Sequence, residues 1–109
     1  MVNLQKIFEE VDNLDKERIM SIIRTLVHVN IVVPPGDSYR EYVDALSPFF
    51  KDLNFCLEEV IVPEECVKQI PYPLEGPRIN LIANKDFGKK KFISFYGHMD
   101  VVPAPNEGA

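Results

Sequence analysis

Apolar residues recur at Leu4, Ile7, Phe8 and Val11, the i, i+3, i+4, i+7 spacing that gives a helix one apolar face. The pattern predicts a short first helix. From Leu14 it resumes with Ile19, Ile22, Ile23, Leu26 and Val27, interleaved with Asp15, Lys16, Glu17, Arg18 and Arg24. An acidic start and basic later turns suit the helix dipole, so a second helix is expected, finishing by Asn30 before Val33-Pro34-Pro35-Gly36. After that turn, Ser38 and Glu41 have the spacing of a capping box, and Tyr42, Val43, Leu46, Phe49, Phe50 and Leu53 form the stripe of a third helix. Pro48 lacks an N–H and crowds the carbonyl four residues back, which predicts a kink or break between Asp44 and Pro48.

Beyond residue 54 the period changes. Residues 55–62 read as a first strand, partly exposed through Glu58 and Glu59 and closed by Pro63. Residues 64–77 hold Pro71, Pro73 and Pro77 and predict a loop or extended excursion. A second strand is expected over 78–83, with a turn at 84–88. Residues 92–96, Phe-Ile-Ser-Phe-Tyr, predict a third strand buried on both faces. Its short connection to the second strand, with Gly88 in the turn, favours a hairpin. Helices followed by strands, the last fully buried, place the chain in the α/β class as a sandwich.

Composition narrows the function classes. The 109 residues are 46% hydrophobic and 27% charged, ordinary for a globular chain, and the net charge is -5. An acidic chain whose only lysine run is Lys89-Lys90-Lys91 is a poor match for nucleic acid. No apolar run suits a membrane span, and the first 13 residues, with Glu9, Glu10 and Asp12, lack the pattern of a signal peptide. A cytoplasmic location is expected. Cys56 and Cys66 lack CxxC spacing and are expected as free thiols.

The candidate chemistry follows the expected third strand. His98 and Asp100 are two apart, and in extended backbone residues i and i+2 project from one face, so the carboxylate can lie beside the imidazole. Gly97 allows a turn close to whatever is bound, and open α/β sheets place ligands at the carboxyl ends of strands. Neutral His98 would then ligate a divalent metal, most plausibly zinc, through one ring nitrogen, while Asp100 accepts a hydrogen bond from the other. The plainer alternative is a strand-end histidine satisfied by its neighbour and bound to nothing. His28, near the end of the second helix, reads as structural, and the pairs Glu58-Glu59 and Glu64-Glu65 read as solvated.

Gly97-His98-Met99-Asp100-Val101-Val102-Pro103 after an apolar segment resembles the first metal-binding motif of the dinuclear zinc amidohydrolases and exopeptidases that include acetylornithine deacetylase, succinyl-diaminopimelate desuccinylase, carboxypeptidase G and aminoacylase. Val33-Pro34-Pro35-Gly36, Leu53-Asn54-Phe55 and Asn80-Leu81-Ile82-Ala83 also fit, so the resemblance spans residues 14–109. It implies a zinc-exopeptidase-like α/β/α sandwich with a mixed sheet. It implies two zinc ions per complete site, cobalt suiting the same ligands, and cleavage of the amide of an N-acyl amino acid or small peptide. His98 matches a metal ligand; Asp100 matches the catalytic-centre carboxylate that orients it; Met99 falls at a variable position.

The same resemblance implies that this chain is not the whole enzyme. The family's bridging aspartate, paired glutamates, further carboxylate ligand and second metal-binding histidine lie downstream, as does its dimerisation domain. Residues 1–109 are then expected to be the N-terminal portion of the catalytic domain, ending in the loop 104–109, inactive alone, from a parent that can be a homodimer. The family's mixed sheet also allows a later strand between the second and third strands, which would leave apolar edges unpaired here. The competing reading is a non-catalytic α/β binding or assembly module with a structural His98.

Overall fold

The computed structural model describes residues 1–104; positions 105–109 of the expected terminal loop lie outside the described residues. Three helices come first, two of them opened by a side-chain cap. Helix α1, Leu4–Asp12, is capped by Asn3, whose side chain accepts from the Lys6 N–H, and α2, Lys16–Val27, is capped by Asp15, which accepts from the Arg18 N–H. Helix α3, Tyr39–Lys51, starts at Ser38, but that side chain makes no cap bond; its hydroxyl turns to Asp37 instead. The expected capping box is therefore not formed.

Nor does α3 break at Pro48. Pro48 and Asp44 both lie on the exposed side, so the carbonyl that loses its partner can meet water, and Ser47 adds a bond to the Val43 carbonyl at 2.6 Å. Strand β1, Cys56–Ile61, follows, and after the one-turn helix α4, Glu64–Val67, strand β2, Ile79–Asn84, returns antiparallel to it with Ile61 opposite Ile79 and Cys56 opposite Asn84. Helix α3 packs across both strands, and Arg40 on α3 grips Glu59 on β1 through two 2.8 Å hydrogen bonds. That fork holds the Glu59 carboxyl below its ordinary value. The chain is thus a mixed α/β structure with a small two-stranded antiparallel sheet.

The expected third strand is the main correction. Residues 92–96 form no strand, β2 pairs with β1 rather than with them, and Phe92, Ile93, Phe95 and Tyr96 are 91%, 82%, 93% and 96% exposed. An apolar run prefers burial, but a strand exists only where a neighbour supplies hydrogen bonds, and among the described residues none lies alongside. Burial elsewhere is equally sparse. Val29, Ile31, Val43 and Ile79 are the buried hydrophobics among the described residues, while α1 and most of the apolar face of α2 stay open. The radius of gyration of 17.6 Å exceeds the roughly 13 Å of a compact domain of about 100 residues.

The excursion between the strands folds back onto the turn that precedes α3. The Glu75 N–H donates to the Pro35 carbonyl at 3.0 Å, and Arg78 reaches the carbonyls of Pro35 and Gly36. Gly36 has φ +65°, and a Cβ there would stand 2.8 Å from Arg78 Nη1 and from a Val33 methyl. Gly36→Ala is expected to cost about 1–2 kcal/mol in left-handed backbone strain alone, and more once Arg78 is displaced. Chemical denaturation of the two proteins measures it, and equal midpoints would contradict it.

Candidate functional site

The site is positioned by the segment that follows it. Val101 forms an isolated parallel bridge with Val32, in which the Val33 N–H donates to the Val101 carbonyl at 2.9 Å and the Val101 N–H donates to the Ile31 carbonyl at 3.2 Å. Val101 is itself 53% exposed, so these two backbone hydrogen bonds hold the segment here rather than burial of its side chain. The motif therefore sits against the link between α2 and α3, and not at the carboxyl end of a strand as the sequence pattern predicts. A Cβ at Gly97 would meet nothing within 4 Å, so no close approach to the described residues requires glycine there.

His98 and Asp100 are brought together. His98 Nδ1 lies 3.1 Å from Asp100 Oδ1 and 2.9 Å from the Asp100 carbonyl oxygen. Both neighbours are acceptors, so Nδ1 carries the proton, and in the neutral ring Nε2 holds the lone pair. The ring itself is open, with a side-chain exposure of 77% against 36% for Asp100. Val33, His98, Asp100, Val101 and Val102 border an open depression of about 570 Å³.

A metal ion at this place would find one imidazole nitrogen. No group of three or more His, Cys, Asp or Glu side chains suited to a metal occurs among the described residues. A catalytic zinc takes three protein ligands, so His98 with its orienting carboxylate does not make such a centre by itself. Cys56 and Cys66 are exposed free thiols. His28 closes α2, its Nδ1 donating to the Arg24 carbonyl in the last turn.

Sequence reasoning missed Tyr39 and Arg78, whose guanidinium carbon stands 4.9 Å from the Tyr39 ring centroid. The Tyr39 phenol is pushed above its ordinary value, first by burial and then by the charge of Asp100, while Arg78 opposes the rise. Tyr39 follows the Pro-Pro-Gly turn closely in sequence, but no sequence signal links Arg78 to it. A second hollow, of about 610 Å³, lies under the excursion between the strands; its charged residues are already engaged, Glu64 with Lys68 at 2.8 Å and Arg78 with the turn carbonyls.

No described helix is long and apolar enough to cross a membrane. Compared with known proteins, the chain matches no family model, no curated protein and no solved structure.

Proposed function

We propose that this chain is the N-terminal portion of the catalytic domain of a metal-dependent hydrolase acting on the amide of N-acyl amino acids or small peptides. The observation that carries the reading is the state of His98. Within Gly97-His98-Met99-Asp100, the Nδ1 proton is taken by Asp100 and the exposed ring is left with Nε2 as a donor atom for a metal. A carboxylate in that place fixes the tautomer of a ligating histidine and raises its basicity. Zinc, or cobalt in its stead, would supply the Lewis acid when bound, with its remaining ligands from outside this chain.

The exposed run 92–96 and the sparse core support an unfinished α/β/α sandwich whose further strands and helices lie elsewhere in a longer, cytoplasmic parent, one that can be a homodimer. The 109 residues alone are then inactive. A turnover screen of the longer protein against N-acetyl and N-succinyl amino acids tests this. Metal-dependent release of the free amino acid is expected; no turnover of any acylated substrate, with no downstream aspartate or Glu-Glu pair in the parent sequence, would favour a non-catalytic binding or assembly module.

A further inference from the structure

The motif is tied to the fold through a link and not through a strand. Among the described residues, the backbone hydrogen bonds that join 97–104 to the rest of the chain are the two of the Val32–Val101 bridge. Residues 92–96 form no strand, so the sheet does not place His98 and Asp100 directly. Whatever fixes the link 31–36 against the sheet therefore fixes the motif.

Arg78 makes that connection. Its carbonyl accepts from the Val62 N–H at 2.9 Å, one step beyond the Ile61–Ile79 pair, so its backbone continues the β1–β2 ladder. Its side chain reaches the turn before α3, where Nη2 donates to the Pro35 carbonyl at 2.6 Å and Nη1 to the Gly36 carbonyl, an approach that depends on residue 36 having no Cβ. The guanidinium carbon stands 4.9 Å from the Tyr39 ring centroid, which seats the same group on the first turn of α3. A planar fork thus meets two successive carbonyls while its face covers an aromatic ring, a combination lysine does not reproduce.

The turn passes the constraint to the bridge. The Gly36 N–H donates to the Val32 carbonyl at 2.9 Å, closing 32–36 on itself, and Val33 inside that turn donates its N–H to the Val101 carbonyl at 2.9 Å. The Glu75 N–H shares the Pro35 carbonyl at 3.0 Å, and a Cβ on Gly76 would stand 3.1 Å from the Asp37 carbonyl oxygen, so the end of the excursion is seated on the same turn. Contacts therefore run from the sheet through Arg78, then 35–36, then 32–33, to Val101, which adjoins Asp100 in the chain.

We propose that Arg78 is a positioning residue that anchors the His98–Asp100 motif to the sheet by holding the turn on which Val101 docks. The inference rests on the metal-ligand reading of His98 for its functional meaning, and adds to it the group that sets where the ligand stands. The pairing of His98 with Asp100 is local and does not depend on Arg78. The place of that pair does.

The test is amide hydrogen exchange in the metal-free 109-residue chain, read residue by residue by NMR, together with the nitrogen-15 signals of the His98 ring. Arg78→Lys keeps the charge and removes the fork. It is expected to speed exchange at Val33, Gly36 and Val101 by about tenfold, the scale of one lost hydrogen bond, while amides of the β1–β2 ladder keep their rates and His98 keeps its Nδ1 proton. Gly36→Ala, which crowds the same fork from the turn, is expected to speed the same three amides, and Arg78→Lys added to it is expected to change little more. An unmoved Val101 amide, equal acceleration across the ladder, loss of the whole fold, a changed His98 tautomer or full additivity of the two substitutions would overturn the proposal. Because no metal is present, this result is separable from whether His98 binds zinc in the longer protein.

Discussion

Ile79→Ala is expected to remove most of the stability this chain has. Ile79 opens β2, is 2% exposed, and stands with Val43 as one of two fully buried large side chains among the described residues. Along β2, Ile79, Leu81 and Ala83 are covered while Asn80, Ile82 and Asn84 are open, so the inward face of the strand carries its packing against α3. Truncating a buried isoleucine to alanine costs about 2–5 kcal/mol through lost transfer energy and the cavity left behind. A whole domain holds only about 5–15 kcal/mol, and a chain with four buried hydrophobics among the described residues belongs at the low end. Urea unfolding followed by far-ultraviolet circular dichroism measures the difference. A loss below about 1 kcal/mol would mean that the core lies elsewhere.

The second large effect concerns residues 92–96. Phe92, Ile93, Phe95 and Tyr96 present adjacent, almost fully exposed side chains with unpaired backbone between them, a combination that templates association with another strand. Full burial of each such side chain is worth about 1.5–3 kcal/mol, roughly tenfold or more in an association constant. Sedimentation velocity is therefore expected to show concentration-dependent self-association of the 109-residue chain, abolished by Phe92→Lys with Phe95→Lys while the circular dichroism of α1 to α3 is kept. A monodisperse unmodified chain would contradict this. So would a double variant that associates as strongly as the unmodified chain.

The helices were legible because an amphipathic helix writes its own period into the chain, and Leu4 to Val11 or Tyr42 to Phe50 carry it without reference to anything distant. Strands β1 and β2 were legible for composition, though not for partner. The run 92–96 shows the limit most clearly: its residues state a preference for burial, but pairing depends on what lies alongside, and the local hairpin with β2 lost to β1. At Pro48 the helix continues without the break, since Pro48 and Asp44 lie on its exposed side. The Ser38-Glu41 spacing does not by itself make a capping box, because Asp37 competes for the hydroxyl. For the site, the pairing of His98 with Asp100 is local and follows from spacing, whereas the bridge of Val101 to Val32 and the contacts of Arg78 with Pro35, Gly36 and Tyr39 join distant parts of the chain. No spacing rule joins residues 32 and 101, or 36 and 78.

The central claim, that His98 and Asp100 are one side of a metal centre completed by residues outside this chain, is tested most directly by metal content. The longer parent protein, purified in buffer containing zinc, is expected to retain bound metal by elemental analysis and to lose at least one ion per chain in His98→Ala, while Asp100→Ala weakens affinity by about 10–100-fold. The 109-residue chain alone is expected to bind zinc only weakly. A parent whose zinc content is the same with and without His98 would contradict the account.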